Sequence, residues 1–166
     1  MPQQHYRVDN YLARRSIGFL LKRAHSLLVE RIEPALADSE LTFTQWVVMM
    51  HLRDGLAVNP TVLCAQLCHD SGALTRLLDQ LEARELIQRE RSREDRRSIE
   101  LRLTERGRAV IDGVLPGVVE RLNEALDGYA RLDLTELTRL LTKLIAQLEL
   151  SEAGATASAR GSEELT

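Results

Sequence analysis

Residues 70–107 read DSGALTRLLDQLEARELIQRERSREDRRSIELRLTERG, and two periodicities meet inside them. Leu74, Leu77, Leu78 and Leu81 recur at i, i+3, i+4 and i+7, the spacing of one apolar helix face. Asp70 or Ser71 is placed to cap that helix, which is expected to run to about Arg84. Its other face carries Ser71, Ala73, Thr75, Arg76, Asp79, Gln80 and Ala83. Beyond Leu86-Ile87-Gln88-Arg89 the period becomes two: Ile99, Leu101 and Leu103 alternate with Glu100 and Arg102. That alternation predicts two short strands flanking a loop centred on residues 93–97.

Small and polar residues in the first turns let the end of a helix enter a major groove. The hydroxyls of Ser71 and Thr75 can meet phosphates or base edges, and Arg76 can reach guanine or a phosphate. The loop Ser92-Arg93-Glu94-Asp95-Arg96-Arg97-Ser98 puts three Arg within five residues at a hairpin tip. A guanidinium suits the negative potential of a narrow minor groove. Asp95 would repel phosphates if unpaired, so it is read as pairing with a neighbouring Arg and fixing the shape of the tip.

Working outward, Asn59-Pro60-Thr61 starts a short helix over Val62–Cys68, with Pro60 suited to a first turn. Thr44 can cap a helix through Trp46, Met49 and Leu52 that stops near Asp54-Gly55. A long amphipathic helix is expected from Asp9 to Glu33, interrupted by Pro34. Thr104 is a cap for a helix reaching about Tyr129, bent or broken at Pro116. Asp133 with Glu136 starts a last helix whose stripe is Leu134, Leu137, Leu140, Leu141, Leu144, Ile145 and Leu148. From Ser151 the chain has little to bury and reads as a disordered tail.

The 166 residues carry a formal net charge of −3, which alone argues against a nucleic-acid binder. The basicity is local: Arg84 to Arg108 holds nine Arg and no Lys against six Asp or Glu. No apolar run approaches a membrane span and no secretory pattern opens the chain, so a cytoplasmic protein with no membrane partner is expected. Two cysteines are too few for a disulfide framework. Cys64 and Cys68 share a helix face and read as buried reduced thiols, since a bridge within one regular helix is geometrically awkward. His69 is adjacent, but no second Cys/His cluster completes a metal site, so neither metal nor cofactor is expected. With no Gly-rich phosphate loop and no nucleophile elbow, an enzyme is not expected either.

Ser71-Gly72-Ala73-Leu74-Thr75-Arg76, Leu81 to Ile87, Asp95-Arg96-Arg97-Ser98 and Leu101 to Gly107 together resemble the MarR family of bacterial transcriptional regulators, over about residues 9–149. The resemblance implies a mainly α fold: a winged helix-turn-helix core with a small β-hairpin wing, over residues 40–107. Residues 9–35 and 108–149 would form the dimerisation helices, and 150–166 the tail. It carries over DNA contacts for Ser71, Ala73, Thr75 and Arg76, a minor-groove role for Arg97 and a bracing role for Asp95; Arg93 and Arg96 join them as tip residues. It also implies a twofold homodimer on a pseudopalindromic operator in double-stranded DNA, with repression as the family default.

Many proteins of this kind are similar to ligand-gated switches that bind small aromatic acids between the dimer helices and the winged core. Arg14, Arg15, Phe19, Trp46, Met49 and His51 are the candidates here, Arg15 and His51 as donors to a carboxylate or phenolic effector. The expected function is therefore a sequence-specific regulator released by such a ligand. The alternative is a winged-helix protein-interaction or redox-responsive regulator without one. Redox-sensing relatives place their cysteine near the N-terminus, where this chain has none.

Overall fold

Ser16 opens the first helix. Its hydroxyl accepts from the Phe19 amide at 3.3 Å and donates to the Ala13 carbonyl at 2.7 Å, while the Ile17 amide donates to the Tyr6 hydroxyl. In the computed structural model, described over residues 5–56, 59–67, 70–91 and 98–163, the helix α1 is Ile17–Leu36. Residues Val8–Asn10 and Ala13–Arg15, expected within that helix, form 3-10 turns instead. Nor does Pro34 end α1: it lies inside the helix. Pro at this position forgoes one backbone hydrogen bond. Burial of Ile32 and Leu36 against Val118 and Leu122 offsets that loss, so packing overrides the local signal.

A 3-10 turn, Ala37–Ser39, and Glu40 in the left-handed region (φ 53°) lead to α2, Phe43–Arg53. The cap of α2 is Thr42 rather than Thr44. Thr42 accepts from the Gln45 amide and the Gln45 side chain accepts in return from the Thr42 amide, a reciprocal box that Thr44 could not form. As expected, α2 ends at Asp54, with Gly55 at φ 67°. The short helix α3 is Pro60–Leu67, with Pro60 as its first residue. Asp70 caps α4, Ser71–Ala83, by accepting from the Ala73 amide at 3.0 Å.

Strands β1 (Ile87–Arg91) and β2 (Ile99–Leu103) pair antiparallel, with Ile87 opposite Leu103 and Arg91 opposite Ile99. Helix α5, Glu105–Ala125, runs through Pro116 without a break and stops short of the expected Tyr129; Gly128 follows at φ 88°. Helix α6 is Arg131–Glu163. It covers residues 151–163, where a disordered tail was expected. Alternating Ala and the flanking Glu residues are good helix formers, and no Pro interrupts them.

Contacts divide the chain into two units, Met1–Ala125 and Leu126–Thr166. The first holds two apolar clusters. The larger gathers Val48 and Met49 of α2, Leu63 of α3, Leu74, Leu78 and Leu81 of α4, the hairpin residues Ile87, Leu101 and Leu103, and Ile111 of α5. The smaller joins Ile32 and Leu36 to Val118, and Trp46 packs against both. In the second unit none of the described residues of α6 is buried. There the Glu136 carboxylate takes two hydrogen bonds of 2.7 Å from Arg139, which hold its pKa below the ordinary range.

One junction holds α4, the hairpin and α5 together. After Ala83, the Leu86 amide bonds the Leu81 carbonyl and the Glu85 amide bonds that of Glu82, a Schellman ending that puts Glu85 at φ 57°. The Thr104 hydroxyl donates to the Glu85 carbonyl at 2.6 Å and accepts from the Gly107 amide at 2.9 Å; the Thr104 amide donates to the Leu86 carbonyl. Gly107 lies so close that a Cβ there would run into the Leu86 carbonyl. Two substitutions should therefore act with opposite signs in urea unfolding. Gly107→Ala should destabilise by about 1–3 kcal/mol through overpacking against backbone. Glu85→Gly should stabilise by roughly 1 kcal/mol by removing the Cβ from a left-handed position.

Candidate nucleic-acid interface

The surface of α4 divides into two halves. Ser71, Thr75 and Arg76 are exposed near its start, and Ala73 beside them is half-buried. The Thr75 hydroxyl donates to the Ser71 carbonyl at 2.8 Å, which leaves its lone pairs as acceptors. Arg76 makes no ion pair or hydrogen bond among the described residues, so its guanidinium is free for a partner. Asp79 and Gln80, assigned by the sequence pattern to the same open face, are engaged instead. Asp79 pairs with Arg89 at 2.7 Å and Gln80 accepts from Gln45 at 3.1 Å.

Arg89 is the strut between helix and hairpin. It lies on β1, its side chain is 26% exposed, and it reaches Asp79 at 2.7 Å and Glu82 at 2.7 Å. The amide of Arg89 also donates to Glu82. On the outer face of the hairpin Glu90 and Glu100 stand opposite each other, a like-charge pair that would be unfavourable alone. Arg102 bridges them, at 3.2 Å from Glu90 and 2.8 Å from Glu100. The tip residues Arg93, Asp95, Arg96 and Arg97 lie outside the described residues.

The effector candidates differ in exposure: Trp46 packs against the larger cluster, which contains Met49, while Arg14, Arg15 and Phe19 are exposed. Met49 is fully buried in the larger cluster and offers a ligand no surface, so its assignment to a pocket gives way to a core role. His51 is half-buried with Nδ1 2.9 Å from the Val47 carbonyl, a contact within its own helix. Arg14 and Arg15 are exposed in the turn before α1, Phe19 is exposed on α1, and no hydrogen bond among the described residues joins Arg15 to Trp46 or His51. Trp46 stands differently: its Nε1 is buried without a hydrogen-bond partner in the protein. Its ring lies 5.7 Å from Phe43, which meets His25 edge-on at 5.7 Å. Neither His25 nor Phe43 was singled out from the sequence; Phe43 stands three and four residues before Trp46 and Val47 at helical spacing, but it precedes the cap expected at Thr44. Cys64 is half-buried, and Cys68 and His69 lie outside the described residues. Among the described residues no group of three His, Cys, Asp or Glu could hold a metal ion, and no helix is long and apolar enough to cross a membrane.

A short helix, a turn, a leucine-anchored helix with an open polar start, and a hairpin braced against it define a winged helix-turn-helix DNA-binding protein. Residues 41–99 match the model of the MarR family. The regulator SarZ of Staphylococcus aureus is 29% identical over 117 residues, 70% of this chain and 79% of SarZ. BpsR of Bordetella bronchiseptica, solved in work on regulation of its DNA binding by 6-hydroxynicotinic acid, superposes with a TM-score of 0.71 at 27% identity, over 81% of this chain and 96% of that one. The repressor CouR, from Rhodococcus jostii, bound to a 23-mer DNA duplex gives 0.69 at 28% identity, over 82% and 99%. Residues 41–99 thus carry a MarR-family domain, and across that domain and its flanks the chain resembles transcriptional regulators rather than enzymes.

If Arg89 is a strut, its contribution is separable from any DNA contact. A double-mutant cycle of Arg89→Ala with Glu82→Ala should give a coupling of about 0.5–1 kcal/mol in unfolding, modest because both groups meet solvent. A coupling indistinguishable from zero would leave the hairpin held by its apolar residues alone.

Proposed function

We propose that this regulator is a homodimeric repressor that binds a pseudopalindromic operator sequence-specifically, acts in the cytoplasm and is released by a small aromatic acid. The observation that carries the DNA half is the free guanidinium of Arg76 beside the hydroxyls of Ser71 and Thr75, on a helix whose leucine face is locked. These groups are suited to read base edges and phosphates. Arg93, Arg96 and Arg97 would grip the adjacent minor groove, with Asp95 shaping the tip, as the family resemblance implies.

The dimer reading rests on unpartnered apolar surface. Ile17, Phe19, Leu20 and Leu27 are exposed on α1, and Leu137, Leu140, Ile145 and Leu148 on α6. Apolar faces of that extent on helices near both ends of the chain fit an intersubunit bundle. Two copies related by a twofold would meet two half-sites one helical turn apart.

The ligand reading rests on Trp46. A buried indole N–H without an acceptor costs roughly 1–3 kcal/mol of desolvation, and a ligand carboxylate or phenol oxygen would relieve it. Phe43 and His25 give the surroundings an aromatic character. BpsR, whose DNA binding is regulated by an aromatic acid, is a relative of matching fold. For release, the ligand must favour a state in which the reading helices no longer match the half-sites.

Two measurements test this. Arg76→Ala and Arg97→Ala should each weaken operator binding by about 1–3 kcal/mol, with the fold intact by circular dichroism. Unchanged affinity for both would remove helix and tip from the mechanism. Ile145→Asp, at a position 56% exposed in the single chain, should yield a folded monomer in sedimentation while wild type sediments as a dimer. A variant that remains dimeric would move the interface elsewhere.

A further inference from the structure

The recognition helix is tied to its neighbours unevenly. Gln80 and Arg84 stand one turn apart near its C-terminal end, and both reach the corner that joins α1 to α2. Arg84 donates to the Ser39 carbonyl at 2.7 Å and to the Glu40 carbonyl at 2.9 Å. Those carbonyls close the helical run of α1 and its 3-10 extension, so a guanidinium from another helix caps the negative end of that run. Gln80 accepts from Nε2 of Gln45, which is only 6% exposed and whose Oε1 already serves the Thr42 amide. The Ser39 hydroxyl donates to the Leu36 carbonyl at 2.6 Å, which fixes the corner itself. A buried amide satisfied at both ends, beside a guanidinium forked over two carbonyls, is a specified polar contact rather than a chance one.

At the other end, Ser71, Thr75 and Arg76 face outward. The 13 residues of α4 span roughly 20 Å. A tilt of about 5° at the tied end would therefore move the free end by about 2 Å, several times the tolerance of about 0.5 Å on a productive polar contact. Small displacements of the corner are large displacements in the groove.

We propose that Gln80 and Arg84 are positioning residues: their latch on the α1–α2 corner sets the angle at which α4 presents Ser71, Thr75 and Arg76. A displacement of α1 reaches the DNA through that latch. This rests on the assignment of α4 as the DNA-reading helix. The leucine face holds α4 to the core but does not fix its tilt as hydrogen bonds at a defined register do. Neither latch residue touches DNA in this account.

The test uses the full chain, a duplex containing its mapped operator, a scrambled duplex of equal length, and anisotropy over a salt series. Arg84→Ala should weaken operator binding by about 3- to 30-fold. Its slope of log affinity against log salt should stay at the wild-type value, because no phosphate contact is lost. Binding to the scrambled duplex should also stay put, an outcome that general unfolding would not give. Arg84→Lys should recover part of the loss, since an ammonium can cap one carbonyl but not fork over two. Gln80→Ala, at an exposed position, should cost less and leave folding intact.

Operator affinity of Arg84→Ala within about twofold of wild type would overturn the proposal. So would a salt slope reduced by about one, which would make Arg84 a phosphate contact. If Arg84→Ala does not fold, Gln80→Ala decides: unchanged operator affinity overturns the latch. A wild-type chain that ignores both duplexes removes the DNA-reading assignment and the latch with it. Normal wild-type binding with indifferent variants removes the latch alone.

Discussion

The close approach of Gly107 to the Leu86 carbonyl is the constraint on which the winged unit depends. Four elements begin or end within a few residues of that point: α4 through its Schellman turn, β1 through Ile87, and β2 and α5 through Thr104. Thr104 satisfies the Glu85 carbonyl with its hydroxyl and the Leu86 carbonyl with its amide, and caps α5 with the same oxygen. A side chain at Gly107 would push against the Leu86 carbonyl and strain all of these bonds at once. The recognition helix and the hairpin are therefore not two binding elements on a flexible connection. Their relative placement is fixed by backbone hydrogen bonds before any side chain of the interface is considered. Arg89 adds a second attachment two residues further along β1, with two carboxylates of α4.

Given that frame, α4 can be specialised along its length. Its buried face is leucine throughout, so anchoring in the core is uniform. Its outward face is open at the start and engaged at the end, where Asp79, Gln80 and Arg84 are bonded to the hairpin and to the α1–α2 corner. A helix fixed at one end and clear at the other can enter a groove without its own neighbours colliding with the duplex. Trp46 sits where the two apolar clusters meet, so any group that occupied its unpartnered N–H would press on both.

Much of this was legible from local patterns. The leucine spacing of α4 and the alternation of β2 gave elements whose observed bounds agree closely, because each pattern spans a whole element buried on one face. Single-residue signals were weaker. Pro34 and Pro116 looked like breaks, yet the helices continue because Leu36 and Val118 are buried together. Thr44 reads as the cap of α2, yet the reciprocal bonds with Gln45 belong to Thr42. Met49 and Trp46 were indistinguishable as pocket residues on one helix face, although one is wholly core. The latch and the strut were not legible at all. Arg84 lies 45 residues from Ser39 and Gln80 lies 35 from Gln45, and no periodicity records such distances.

The same separation between composition and placement explains how an acidic chain can be a DNA-binding protein. A net charge of −3 counts every carboxylate equally. In the winged unit, however, Asp79 and Glu82 share Arg89, Glu90 and Glu100 share Arg102, and Asp70 accepts from the Ala73 amide at the start of α4. Each of the two Arg offsets one of its two carboxylates at contact distance, and what is left over is screened beyond about one Debye length, roughly 8–10 Å in physiological salt. Arg76 and Arg91 are exposed and make no ion pair among the described residues. What approaching phosphates meet depends on where the charges stand, and Arg76 and Arg91 are exposed cations where the helix opens and the hairpin begins. Binding to a duplex therefore turns on the placement of exposed cations, and the total need not be basic.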